Sequence, residues 1–191
     1  MQFVIVSSNP KPGTLNQSVM REIIRGASDG GADVQVLTLE GIQNCKSCQE
    51  GSGLCRSENS CAFGKDGFHD AHQIVKQADA ICIMMPVDPS DPNENMPGFL
   101  ERLRRCEFGQ FGALVNKPVL VLSFPNGADN SLLSCLEQAD LFCRQTGAVI
   151  FDYFGVNSWN SDYAKTAAYY SGRAIAYGRK PGETTSRKRL R

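Results

Sequence analysis

Phe3-Val4-Ile5-Val6-Ser7-Ser8-Asn9-Pro10-Lys11-Pro12-Gly13-Thr14-Leu15-Asn16-Gln17 is the stretch on which the fold turns. Its apolar run has strand length, and Ser7 to Thr14 is turn chemistry. From Leu15 to about Ser28, Val19, Ile23, Ile24 and Ala27 recur at helical spacing until Gly30-Gly31 stops the pattern. A strand apolar at every position is buried on both faces, as in a parallel sheet covered by helices.

The same alternation runs outward along the chain. Val34–Leu39 reads as a strand, residues 41–66 as a long Cys-, Ser- and Gly-rich loop, and Gly67–Ala78 as a short helix. Ala80–Val87 is a third strand, Asp88–Pro97 a Pro/Asp/Asn-rich loop, and Gly98–Phe111 a helix. Lys117–Leu122 is a fourth strand with Ser123–Gly127 as its exit loop, then Ser131–Thr146 a helix, Gly147–Gly155 a fifth strand and Ser161–Tyr177 a last helix. Five strands alternating with helices, joined by right-handed crossovers, predict a three-layer α/β sandwich whose parallel sheet has the order 2-1-3-4-5. In such a sheet the ligand lies beyond the carboxyl ends of the strands, where the order reverses between the first and third. The loops after the first, third and fourth strands converge there.

The chain of 191 residues suits one domain, predicted over 1–178, followed by a basic tail over 179–191. Lys plus Arg equals Asp plus Glu at 20 each, so net charge argues for neither nucleic acid nor membrane as a partner. Four cations, Arg187, Lys188, Arg189 and Arg191, crowd the tail, and its plain reading is a solvated end. The start of the chain lacks a basic segment before a long apolar run, so the expectation is a cytoplasmic protein. Eight cysteines in a reducing compartment then argue for metal, redox or core roles.

Residues 7–17 lie between a strand and a helix. Their hydroxyls and amides, Lys11, and the free N–H groups at the helix start suit a phosphate dianion. The glycine spacing of a Walker A or dinucleotide loop is absent. An ordinary turn with Thr14 or Asn16 as N-cap explains the same residues, and both readings stay open at this point.

The run resembles the first loop of the NADPH-dependent FMN reductase and iron–sulfur flavoprotein branch of the flavodoxin-like superfamily. That loop reads Gly-Ser-x-Arg-x-Gly-Ser/Asn-x-Thr and grips the FMN phosphate. Ser8, Lys11, Thr14, Asn16 and Gln17 fall on matching positions, with Lys11 where the family has Arg and the spacing shifted by about one residue. Met84-Met85-Pro86-Val87-Asp88 is similar to the family's Ser-Pro-Val-Tyr segment, with Asp88 replacing the tyrosine. Asn95–Arg102 resembles the segment that begins the next helix, and Lys117-Pro118-Val119 matches the start of the fourth strand. Ser123, Phe124, Pro125, Asn126 and Gly127 fall where the family has a Gly-rich loop against the flavin edge. The resemblance implies FMN, with backbone amides of Met85–Val87 and Phe124–Asn126 facing the ring. Met84 reads as core.

Cys45, Cys48, Cys55 and Cys61 have the spacing C-x2-C-x6-C-x5-C. Four thiols in one short loop can converge on a metal centre, either an iron–sulfur cluster or zinc. Iron–sulfur flavoproteins carry a tighter four-Cys motif in this position and hold a [4Fe–4S] cluster close to FMN. Three states stay open here: the cluster, cysteines without metal, and a zinc knot. His69 and His72 are assigned to the polar face of a helix, and Cys82, Cys106, Cys135 and Cys143 to the core.

The resulting expectation is an FMN-dependent oxidoreductase or electron-transfer flavoprotein passing electrons between a [4Fe–4S] cluster and FMN. An NAD(P)H-dependent FMN or quinone reductase without a cluster, and a non-enzymatic zinc module, are the alternatives. The resemblance also implies a small-molecule or ferredoxin-like redox partner and a homodimer or homotetramer.

Overall fold

The computed structural model describes residues 1–8, 14–46, 48, 54–87, 95–108, 112–125 and 130–178. Phe3, Val4, Ile5 and Val6, each exposed by 2 % or less, form strand β1 (Gln2–Ser7) at the centre of the sheet. Alternate side chains of β1 leave for opposite faces, and two apolar layers follow. Thr14 caps helix α1 (Leu15–Asp29), its hydroxyl accepting from the Gln17 N–H at 3.4 Å, so the N-cap expectation for Thr14 holds.

The remaining elements are β2 (Asp33–Thr38), the short helix α2 (Leu54–Ser57), a 3-10 turn (Gly64–Asp66), α3 (Phe68–Gln77), β3 (Ala80–Val87), α4 (Asn95–Cys106), β4 (Pro118–Pro125), α5 (Asn130–Thr146), β5 (Val149–Gly155) and α6 (Ser161–Ala176). The strands are parallel in the order β2-β1-β3-β4-β5, as the sequence implies. On one face Phe3, Ile5, Cys82, Met84, Leu120, Leu122 and Phe124 pack against α1 and α6. On the other, Val4, Val6, Ile81, Ile83, Met85, Val119 and Val121 pack against α3, α4 and α5. No helix among the described residues is long and apolar enough to cross a membrane.

Three sequence expectations are corrected. Helix α4 starts at Asn95 instead of Gly98 and ends at Cys106 instead of Phe111. Pro97 is its third residue, inside the first turn where no backbone N–H has a helical partner to lose. At the other end the Glu107 carboxylate accepts from the Ala113 N–H at 2.6 Å, which turns the chain where periodicity alone would extend it. Secondly, Ser123, Phe124 and Pro125 belong to β4 and not to an exit loop, because pairing with β3 continues to Val87↔Pro125. The strand then closes on a proline, which has no N–H to extend the ladder. Thirdly, His72 is not on a polar face. It is 2 % exposed and its Nε2 donates to Glu107 Oε1 at 2.6 Å. His69 is exposed, and its Nε2 donates to the Cys61 carbonyl at 2.7 Å.

Candidate functional site

The carboxyl ends of β1, β3 and β4 lie side by side. Ser7 pairs with Met84, Met85 with Ser123, and Pro86 with Phe124. Just past β1, Ser8 presents a buried hydroxyl with no hydrogen-bond partner among the described residues. Ser123, fully buried in β4, does the same. A buried hydroxyl left without a partner costs about 1–3 kcal/mol, so two of them at one end of a sheet mark where an outside acceptor or donor belongs. Helix α1 starts at this end, and its first turn carries no acidic residue to compete with an anion. Asn16 and Gln17 lie in that turn.

Lys11, Asp88, Asn126 and Gly127 lie outside the described residues. Pro86, Val87 and Pro125 contribute strand backbone at the site. Met85 and Phe124 are core side chains, on opposite faces of the sheet, so their contribution to a ligand is backbone.

The long loop leaves the sheet at the same end, the Leu39 N–H donating to the Ser7 carbonyl at 3.3 Å. It is then fastened to α4. Asn95 Nδ2 donates to the Leu39 carbonyl at 2.9 Å, and Arg102 Nη1 to the Gln43 carbonyl at 2.9 Å. A side chain at Gly98 would collide with Asn44, so α4 needs glycine there to receive the loop. Cys45, Cys48, Cys55 and Cys61 all line one cavity, which they share with Ala62, Arg102, Arg105 and Cys106. Among the described residues no three Cys, His, Asp or Glu side chains are arranged to hold a single metal ion.

Arg102 organises this cavity. It is 2 % exposed and lies over the Phe68 ring at 4.1 Å from the centroid. Its Nη1 donates to Asp66 Oδ2 at 2.6 Å, and its Nη2 to Asp66 Oδ1 at 3.1 Å, the Phe63 carbonyl at 3.0 Å and Cys61 Sγ at 3.4 Å. Burial alone would lift the Asp66 carboxyl. Arg102 and the N–H groups of Gln43 and Phe68 outweigh it and hold the group at about 2, against an ordinary 3.8. Arg105 is held by Glu101, with Nε donating to Oε1 at 2.7 Å. Burial pushes the Cys106 thiol up to about 12, with Cys61 and Cys55 adding to the shift. That group is a neutral thiol at physiological pH.

The four cysteines singled out by spacing are therefore gathered by the fold. Sequence reasoning missed Arg102, Arg105 and Asp66, while Cys106, read as core, is core and also gives the cavity a fifth thiol. A signal for Arg102 existed: it stands three residues after Phe99 and four before Cys106, on the apolar stripe of α4. A cation on such a stripe needs a buried partner.

The NADPH-dependent FMN reductase family matches residues 1–161 of the chain. A comparison with curated proteins gives no match. Among solved structures, the chain is similar to an NAD(P)H:quinone oxidoreductase from Methanothermobacter marburgensis at TM-score 0.64 and 17% identity, covering 92% of this chain and 96% of that one. An azoreductase from Bacillus anthracis str. Sterne matches at TM-score 0.64 and 12% identity, covering 93% of this chain and 98% of that one. A flavodoxin, WrbA-like protein from Agrobacterium tumefaciens matches at TM-score 0.59 and 15% identity, covering 92% and 94%. At these identities the solved structures speak for a shared flavodoxin-like fold.

Proposed function

The chain belongs to the NADPH-dependent FMN reductase family and is an FMN-dependent oxidoreductase, and on that premise we propose that it also carries a [4Fe–4S] cluster on Cys45, Cys48, Cys55 and Cys61. The observation that carries the proposal is the gathering of those four thiols round one cavity with two guanidinium groups in its wall. Thiolates are the ligands such a cluster requires. One zinc ion would need its four ligands closed to about 2.3 Å around a single centre, and among the described residues no three such side chains are so arranged. Arg102 and Arg105 offset the negative charge that four thiolates would bring into a half-buried site.

FMN supplies hydride and single-electron chemistry that no side chain can perform, and NAD(P)H is the reductant this family uses. The chain's own groups bind and orient. The Ser8 hydroxyl, the Thr14-capped start of α1 and Lys11 are assigned to the phosphate, where a helix N-terminus and a cation both favour a dianion. Ser123 and the strand ends Met85–Val87 and Phe124–Pro125 are assigned to the ring, the Ser123 hydroxyl and backbone groups offering hydrogen bonds where bulk water is kept out. The cysteine loop leaves the sheet beside Ser7, at the end assigned to the flavin. A ferredoxin-like acceptor and assembly as a homodimer or homotetramer belong to the same proposal.

The second reading is an NAD(P)H-dependent FMN or quinone reductase without a cluster, favoured by the family match and by the quinone oxidoreductase likeness. Anaerobic purification followed by an absorbance spectrum and metal analysis separates them. Equal iron and acid-labile sulfide beside one FMN, with broad absorbance bleached by acid, supports the cluster. A clean flavin spectrum without iron leaves the second reading. A colourless protein with stoichiometric zinc sinks both.

A further inference from the structure

Arg102 does more than neutralise charge in the cavity wall. Its Nη2 reaches the Cys61 sulfur at 3.4 Å, the one side-chain hydrogen bond to a loop-cysteine sulfur among the described residues. The same guanidinium holds the loop on both sides of the cysteines, through the Gln43 carbonyl at 2.9 Å and the Phe63 carbonyl at 3.0 Å. Asp66 accepts from both Nη groups of the fork, and the guanidinium carbon lies over the Phe68 ring. With its rotamer set by five acceptor contacts and its exposure at 2 %, the N–H aimed at sulfur is pre-organised. Arg105 lines the same cavity but spends its Nε on Glu101 and is 29% exposed, so solvent screens its charge.

We infer that Arg102 is a positioning residue that sets the reduction potential of the centre held by the four cysteines, through its hydrogen bond to the Cys61 sulfur. The inference rests on the cluster reading above. The step it acts on is the uptake of one electron by the oxidised cluster from dithionite or from reduced flavin, with no proton or bond change at sulfur. Reduction adds negative charge to the ligand sulfurs, and an N–H donor already aimed at one of them stabilises the reduced form more than the oxidised one. Arg102 therefore raises the potential. Lysine keeps the charge but loses the planar fork that lets one group serve Asp66 and sulfur together.

The test is an EPR-monitored redox titration of holoprotein, wild type against Arg102→Lys, Arg102→Met and Arg105→Met, after iron and sulfide analysis of each. Both Arg102 variants are expected to shift the ratio of reduced to oxidised cluster at fixed ambient potential by about tenfold toward oxidised, about 59 mV for one electron. Arg105→Met is expected to shift it by less. A potential unchanged in Arg102→Lys, or equal shifts in Arg102→Met and Arg105→Met, overturns the inference in favour of charge alone. If the Arg102 variants fail to fold, Arg105→Met protein labelled with 15N-arginine decides. Pulsed EPR of its reduced cluster is expected to show a 15N coupling, and the lack of one overturns the inference. Wild-type protein that takes up no iron and sulfide overturns the cluster reading itself, an outcome distinct from a cluster whose potential ignores Arg102.

Discussion

The two faces of the sheet are built on different principles. The α1/α6 face is apolar and fits by close backbone approach: a methyl group on Gly26 would run into the Tyr169 carbonyl, and one on Gly172 would stand 2.6 Å from the Ile23 oxygen. The α3–α5 face holds the buried ionisable side chains among the described residues, namely Arg102, His72, Glu107 and Lys117. Lys117 Nζ donates to the carbonyls of Val75 and Lys76, both at 2.9 Å, closing the end of α3. Burying charge stabilises little by itself and demands partners. Its concentration on this one face marks it as the face where geometry is specified, while the other is a scaffold.

The sharpest way to break this contrast is to remove one carboxylate from each face. Asp66→Ala leaves the buried Arg102 guanidinium with only the Gln43 and Phe63 carbonyls and the Cys61 sulfur, and the expected loss is about 1.5–3 kcal/mol. Asp152 on the scaffold face accepts from the Ser171 hydroxyl at 2.6 Å. Asp152→Ala should cost about 1 kcal/mol, the worth of one hydrogen bond to a half-buried group. Urea unfolding of both variants measures the difference, and equal midpoints would erase the distinction between the faces.

The scaffold face has its own weak point. Gly26→Ala gains helix propensity of about 1 kcal/mol but forces α1 and α6 apart, and the net expectation is a loss of about 1–2 kcal/mol. Thermal denaturation checks it, and a stabilised variant would show that the helices have slack. A subtler comparison uses pH. Asp66 has a folded pKa of about 2 against an ordinary 3.8, so its ion pair contributes stability above pH 4 and loses it as pH falls through 2. The gap between wild type and Asp66→Asn, about 1 kcal/mol after allowance for solvent screening, should therefore be constant from pH 7 to 4 and shrink toward zero near pH 2. Denaturant titrations across that range measure it. A gap that widens on acidification would mean the Asp66–Arg102 pair is not the source.

Much of the scaffold face could be read along the chain, because apolar strands and helical periodicity are local signals: β3 has the predicted bounds Ala80–Val87, and α1 departs by a residue. Spacing also picked out Cys45, Cys48, Cys55 and Cys61, since four thiols within one loop need no tertiary information to be noticed. The cavity's walls were not legible. Arg102 and Cys106 share α4, but Asp66 comes from a turn 36 residues away, and only packing brings helix and loop together. The His72–Glu107 pair was hidden for the same reason, its members standing 35 residues apart. At the nucleotide end, the loop composition was informative, while the continuation of β4 through Ser123 and Phe124 depended on pairing with β3 that no local pattern encodes.

Cys106 offers the finest division within the charged face, because it lines the cavity without lying in the loop. Five thiols surround the space and four suffice for a cluster. Burial, first of all, keeps the Cys106 thiol at about 12, so it is protonated where the loop cysteines are called on to act as thiolates. Its backbone is fixed in the last turn of α4, and a helix end cannot swing to follow a ligand as a loop can. Cys106→Ala should thus retain the wild-type iron content, while Cys61→Ala should lose most of it. The cost in stability is expected to be below about 1 kcal/mol, for the loss of one buried sulfur. Iron analysis of the two variants side by side makes the measurement. If Cys106→Ala loses iron and a loop variant keeps it, the helix supplies a ligand, and the boundary between wall and binding loop has to be redrawn through α4.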